Sequence, residues 1–323
     1  ATLQYMLYTP ERKREESLED GPTTSKAPPA ALASQWAAAT GPACGVMHTP
    51  YAIWAIAPKL LASCYTTKSN HNRVANSVKK IPIKLTRDPI LETIFELRYL
   101  PKVPSVSDLL PGLLYPKFKD RFKTPERLPG ADIPKQILAF NPELMYQPRM
   151  RLTGDKFSIY LGDKSTTVSC PKPYVGWKEF RPLILEVITE LKTADVIENV
   201  ERFSLKYVNL LESNDLKEQF GFLRMSAKLG NYDLTEWLTA INTEIKEDGL
   251  VNLIELKGGT TATMPNSKGI SGLLISVDTI SISPDAFWDR KEELIEKVHS
   301  KEKQIFFDLL SEETTKKLGA IWS

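Results

Sequence analysis

Cysteine and histidine are scarce, with three of each in 323 residues. The cysteines, Cys44, Cys64 and Cys170, are odd in number, widely spaced and form no CxxC. Such spacing argues against a zinc site or a disulfide framework and fits a reducing cytoplasm. After His71 the only histidine is His299. A histidine-based triad or a multi-histidine metal site is thereby excluded from most of the chain. Long apolar runs are missing too. The best stretch, residues 45–61, is broken by His48, Pro50 and Pro58 and falls short of the roughly 20 residues a spanning helix needs. No membrane association is expected. Excess charge is absent as well: a net +2 gives no bulk attraction to nucleic acid or anionic lipid. Apolar and charged fractions of 42% and 25% are those of an ordinary soluble protein of one or two domains.

The amino-terminal part differs from the rest. Residues 1–73 hold 13 alanines and residues 74–323 only 9, and no charged side chain occurs from Ala27 to Pro58. Glu11, Glu15, Glu16, Glu19 and Asp20 crowd the region where a secretory signal would be basic. Residues 1–79 therefore read as a leader that is disordered or not native coding sequence, with Val74 as an alternative bacterial start.

Within the remainder, two segments are near-copies. Ile94-Phe95-Glu96-Leu97-Arg98-Tyr99 matches Arg202-Phe203-Ser204-Leu205-Lys206-Tyr207, with Phe, Leu and Tyr recurring 108 positions apart. The period of two marks both as strands with an apolar and a polar face. Leu91, Thr93, Phe95, Leu97 and Tyr99 are expected on one face, and Ile90, Glu92, Ile94, Glu96 and Arg98 on the other. A short helix over 107–114, capped by Ser107 or Asp108, follows the first copy. Strands are expected at 136–146, 156–161 and 166–170, separated by turn residues.

Trp177, Phe180, Ile184, Val187, Ile188 and Leu191 form a helical stripe. After the second copy, a turn or short helix at 214–218, a strand at 220–229, an amphipathic helix at 233–246 and strands at 250–256 and 272–282 are expected. Ser283-Pro284-Asp285 reads as the cap of a last long helix reaching about Leu309. A short helix from Ser311 to Gly319 closes the chain. The fold class is therefore α+β: two related antiparallel β-units, 80–198 and 199–323, each closed by a long amphipathic helix and packed as one globular domain. A saddle similar to the TATA-binding-like folds is compatible, an analogy that carries no function.

Four blocks in this order resemble a sporadically distributed family of uncharacterised bacterial proteins: Pro89 to Tyr99 (PILETIFELRY), Trp177-Lys178-Glu179-Phe180, Leu205-Lys206-Tyr207-Val208-Asn209 and Leu274-Ile275-Ser276-Val277-Asp278. The tail from His299 to Phe306 is similar as well. The resemblance covers Pro89 to the C-terminus. It implies a prokaryotic cytoplasmic protein from mobile gene neighbourhoods, with phage defence as one setting. It supplies no activity and no catalytic residues. The leader lies outside the pattern, and Lys206 stands where the family commonly has arginine.

The leading candidate site is the polar face of the repeat strands: Glu92, Glu96 and Arg98 beside Arg202 and Lys206, with Asn209 at the strand end. Strands adjacent across a seam would make a mixed-charge groove for a protein partner or an anionic ligand, although a solvated outer sheet face is the plainer reading. Glu255 and Lys257 resemble half of a metal-dependent nuclease motif but lack an upstream aspartate other than Asp248. Residues 115–123 interleave basic and aromatic side chains, so bases could stack on Phe118 and Phe122; in the plainer reading those rings pack inward. Gly258-Gly259-Thr260-Thr261 opens no helix, Cys170 has no histidine partner, and Asp278 interrupts an apolar strand. The sequence is therefore expected to encode a non-enzymatic binding or regulatory module that recognises a protein partner, encoded nearby, or an anionic ligand along the sheet seam, with no catalytic residue, metal or cofactor. The alternatives are a nuclease or hydrolase using Glu255 and Lys257, and a nucleic-acid binder using 115–123.

Overall fold

The computed structural model describes residues 81–133, 137, 140–263 and 269–322, together with the strand Met6–Tyr8. Apart from that strand, the expectations for residues 1–79 lie outside the described residues. Ten strands form one sheet: β1 (Met6–Tyr8), β3 (Ile90–Pro101), β4 (Glu126–Arg127), β5 (Pro148–Thr153), β6 (Ser158–Gly162), β7 (Ser165–Pro171), β8 (Ile197–Glu212), β11 (Ala240–Glu247), β12 (Leu250–Thr263) and β13 (Ile270–Ile282). Their order is β1-β12-β13-β8-β3-β7-β6-β5-β4, with β11 also on β12. Small two-stranded pairings join β2 (Lys84–Leu85) to β14 (Ala320–Ile321) and β9 (Lys228–Leu229) to β10 (Tyr232–Asp233).

The two near-copies are direct neighbours. β3 runs antiparallel to β8, with Phe95 opposite Leu205 and Leu97 opposite Phe203. On either side of this seam the main elements follow in a corresponding order, the short β4, β9 and β10 aside. β3 is followed by α1 (Val106–Phe118), then β5, β6 and β7, with β7 returning beside β3, then α2 (Trp177–Thr193). β8 is followed by α3 (Leu216–Gly221), then β11, β12 and β13, with β13 returning beside β8, then α4 (Phe287–Leu309). A short α5 (Glu312–Lys317) precedes β14, its Ser311 cap accepting from Thr314 N and Gly319 closing it at φ 67°.

One face of the sheet carries the core. Phe95, Leu97, Tyr99, Phe203 and Leu205 are buried beneath Phe180, Ile184, Val187, Ile188 and Leu191 of α2 and Ile295 and Val298 of α4. The alternation of strand side chains puts the apolar set on that side, at about 1.5–3 kcal/mol for each large side chain buried. Tyr99 is wholly buried, and its hydroxyl reaches Gly162 O, Ser165 O and Thr166 Oγ1 at 3.2–3.3 Å. The helices meet through Trp177 Nε1 donating to Glu296 at 3.0 Å and Arg181 to Glu292 at 3.1 Å. Among the described residues no helix is long and apolar enough to cross a membrane.

Several expectations are corrected. Residues 233–246 are not a helix. Asp233 accepts from Thr235 N and closes a single 3-10 turn, Leu234–Glu236, after which β11 runs extended. Ile241, Thr243 and Ile245 alternate with Asn242, Glu244 and Lys246, a period of two hidden inside an apparent helical stripe. Asp248 and Gly249, at φ 55° and 75°, form the tight turn that folds β11 onto β12. After β8 the second half thus adds three long strands, β11, β12 and β13, to the main sheet, with no inserted α-helix.

Residues 142–146 are a 3-10 turn rather than strand, started by Asn141 accepting from Glu143 N. At 220–229, Phe220 ends α3 and only Lys228–Leu229 is strand. Ser105, not Ser107 or Asp108, precedes α1, and Ser107 instead bonds Asp163 through both its N–H and its hydroxyl. Ser283-Pro284-Asp285 does not cap α4. Ser283 N donates to Glu201 O at 2.8 Å, which ties that segment to β8, and the helix starts three residues later after Ala286 at φ 50°.

Candidate functional site

Opposite the helices, the outer face of the seam gathers the charged side chains. Across β3 and β8, Arg98 faces Arg202, Glu96 faces Ser204 and Ile94 faces Lys206; beyond them Lys206 faces Asp278 of β13. Glu96 is the hub. It is 3% exposed and accepts from Arg98 Nε at 2.9 Å and Arg202 Nη2 at 2.8 Å. Burial alone would raise its carboxyl, but the two guanidinium groups hold it below the ordinary carboxylate range. Arg98 also lies 4.2 Å over the Tyr146 ring and 3.7 Å from Glu143. Tyr146 donates to Glu201 at 3.1 Å. The register shift between Arg98 and Tyr99 turns Glu201 toward this cluster, as a bulge does.

At the other end of the seam Glu92 accepts from Ser169 Oγ on β7. Burial raises its carboxyl against the pull of Ser169 and Lys206. Glu92 and Glu96 therefore sit on opposite sides of the usual carboxylate range, four residues apart on one strand. Two groups on this face have unused capacity: Asp278 Oδ1 and Arg202 Nε are buried without a hydrogen-bond partner. Asp278 is 9% exposed and close enough to Arg202 to help hold its guanidinium above the ordinary value, after burial, which lowers it, and Glu96, which raises it.

The seam thus brings together Glu92, Glu96, Arg98, Arg202 and Lys206. It does not bring Asn209, which lies on the odd-numbered, helix-side register of β8 and donates to Ile275 O at 3.3 Å. Leu91 also departs from its expected face. A register shift between Ile90 and Glu92 moves it to an apolar cluster with Val208, Leu210, Ala262 and Leu274, while Ile90 packs against the main core. Tyr146, Glu143 and Glu201 were not singled out from sequence. The first two arrive from a loop whose position depends on tertiary packing, and the third depends on a bulge that no local pattern announces.

The remaining candidates separate clearly. Phe118 is wholly buried and Phe122 5% exposed, so neither ring can stack on a base; they pack edge-to-face at 5.8 Å. An open cleft of about 430 Å³ at Lys119, Lys123 and Asp155 borders them, and its Arg121 is paired with Glu186. Glu255 stands opposite Asn242 and Ser276, and Lys257 opposite Ala240 and Leu274. Asp248 is drawn away to Lys301 at 3.0 Å. Among the described residues no three His, Cys, Asp or Glu are grouped to hold a metal ion.

Gly259, at φ 63°, lies in a bulged β12 that continues as strand, its N–H donating to Gln219. Burial pushes the Cys170 thiol up to about 11, which makes it a poor nucleophile. His299 stacks on Trp177 with ring centres 4.0 Å apart. Comparison with known proteins finds no family model that matches the chain and no curated relative.

Proposed function

We propose that this chain is a non-enzymatic binding module, and that its outer seam face recognises a protein partner. The observation that carries this reading is the pair of buried, unpartnered groups on one face, the acceptor Asp278 Oδ1 and the donor Arg202 Nε. Both atoms lie just below the surface, so a bound segment supplying one donor and one acceptor pairs with them only as the two side chains turn outward, and that pairing removes a cost of about 1–3 kcal/mol for each. A polypeptide offers both from its main chain. An anion offers acceptors only, and it would meet Glu92, Glu96, Glu143, Glu201 and Asp278 against Arg98, Arg202 and Lys206. The charge balance therefore favours a peptide over the anionic ligand.

The two halves are read as copies of one ancestral β-α-β-β-β-α unit. Their first strands, which share Phe, Leu and Tyr at matching positions, pair across the seam, and the strand order on either side corresponds. On this reading the joined sheet is saddle-shaped. The resemblance to a sporadically distributed bacterial family supports a cytoplasmic setting and a partner encoded by an adjoining gene, in a defence or mobile-element system.

The test is calorimetric titration of the full chain with the protein products of its adjoining genes. A stoichiometric complex is expected, weakened about tenfold or more by Asp278→Asn and by Lys206→Glu, with thermal unfolding unchanged. Absence of any complex, or one indifferent to both substitutions, overturns the reading.

A further inference from the structure

Among the described residues β11 is paired on one side only, through its register with β12. Seven of its eight residues are exposed. No proline or bulge interrupts the strand, and its register with β12 is continuous. An edge of this kind is normally blunted, because its free N–H and C=O groups template further pairing. Among the described residues the protection is limited to the charges of Glu244, Lys246 and Glu247. Just before it, Trp237 and Leu238 are 53% and 55% exposed, and Ile245 within it is 40% exposed.

The tight turn fixes which backbone groups are free. Asp248 and Gly249 form a two-residue loop, so Glu247 and Leu250 are the hydrogen-bonded pair that closes the hairpin. Odd-numbered residues of β11 then bond to β12, and Ala240, Asn242, Glu244 and Lys246 turn their N–H and C=O groups outward. Antiparallel pairing of this edge with itself must match even residues with even residues.

One such register places Ile245 opposite its own copy and sets Lys246 opposite Glu244 twice. Within one chain Lys246 already lies 2.7 Å from Glu244, so the two copies would form an alternating row of four charges. The register one step away sets Glu244 against Glu244 and is repelled. The charges that deter strangers therefore suit a second copy of the same strand. We infer that β11 is a self-association edge, through which two chains join their sheets about a twofold axis at Ile245, an isologous contact.

The experiment measures the mass of the full chain in solution by light scattering over a dilution series. A dimer is expected. Glu244→Pro should convert it to monomer, because that residue's N–H points outward and proline there leaves the β11–β12 ladder intact. Lys246→Glu should do the same by charge, and the exchange of both residues, Glu244→Lys with Lys246→Glu, should restore the dimer. Independently of any variant, amide exchange at Glu244 and Lys246 should slow as concentration rises, while the inward amides of Thr243 and Ile245 stay unchanged. A chain monomeric throughout the series overturns the inference. So does a dimer indifferent to Glu244→Pro, or outward amides indifferent to concentration.

Discussion

Glu302 and Glu96 are both 3% exposed, yet their carboxyls are pushed in opposite directions from the ordinary range. Glu302, on the sheet-facing side of α4, has Oε1 without a partner. Burial pushes its carboxyl well above the ordinary range, opposed by Lys303 and reinforced by Asp278. The folded state therefore binds that proton more tightly than the unfolded chain. Its contribution is intact below the unfolded pKa and is lost as pH rises toward the folded value. Glu302→Gln keeps the shape without the proton, so the fall in urea midpoint from mildly acidic to mildly alkaline pH should flatten in the variant. Glu96 runs the other way. Its folded pKa is depressed, so its contribution is present above the unfolded value and disappears as pH drops through the folded one. Glu96→Ala would leave Arg98 and Arg202 facing each other uncompensated, and a loss of about 3–5 kcal/mol is expected in denaturant titration. A loss below about 1 kcal/mol would mean that solvent already screens the pair.

At the scale of elements, the turn of the β11–β12 hairpin is tied to α4 by two lysines. Lys301, whose side chain is 9% exposed, reaches Glu247 at 2.5 Å and Asp248 at 3.0 Å, and Lys297 donates to Asp248 O at 2.7 Å. Both carboxylates are largely solvated, so the pairing contributes about 1 kcal/mol. Lys301→Ala should accordingly speed amide exchange along β11 while β3 and β8 stay protected, an example of local opening; equal acceleration in all three strands would count against it. This hairpin is also where sequence reading failed. Leu234, Trp237, Leu238, Ile241 and Ile245 do lie on one side of an imagined helix, but three of them are exposed in the fold. What decided the matter was pairing with β12, a non-local interaction that outweighs any stripe of helical spacing. Where local and non-local preferences agree, as over residues 93–99 of β3 and 202–207 of β8, alternation was enough. The charged seam was legible for the same reason, because Glu96, Arg98, Arg202 and Lys206 share one parity on two strands of similar pattern. Bulges at Leu91 and Glu201 and the incoming Tyr146 loop leave no comparable mark.

For the whole molecule, the β3–β8 seam decides whether the halves behave as one body. Phe95 and Phe203 lie with ring centres 6.2 Å apart, and Phe203 continues to Phe287 of α4 at 5.3 Å. One aromatic chain thus joins a strand of the first half, a strand of the second and the second long helix. The first long helix is bound into the same mass, since Trp177 hydrogen-bonds Glu296 and stacks on His299. Neither half keeps a complete apolar face once the other is removed, so unfolding should be a single cooperative event. Phe203→Ala deletes the middle ring and should cost about 3–5 kcal/mol, the usual penalty for emptying a buried aromatic site. Hydrogen exchange followed in denaturant at β6 of the first half and β12 of the second would measure this directly. Both strands should lose protection at one shared midpoint, and Phe203→Ala should lower that midpoint equally for the two. Separate midpoints, or a shift confined to β12, would mean that the halves are independent domains and that the seam is a contact rather than a core.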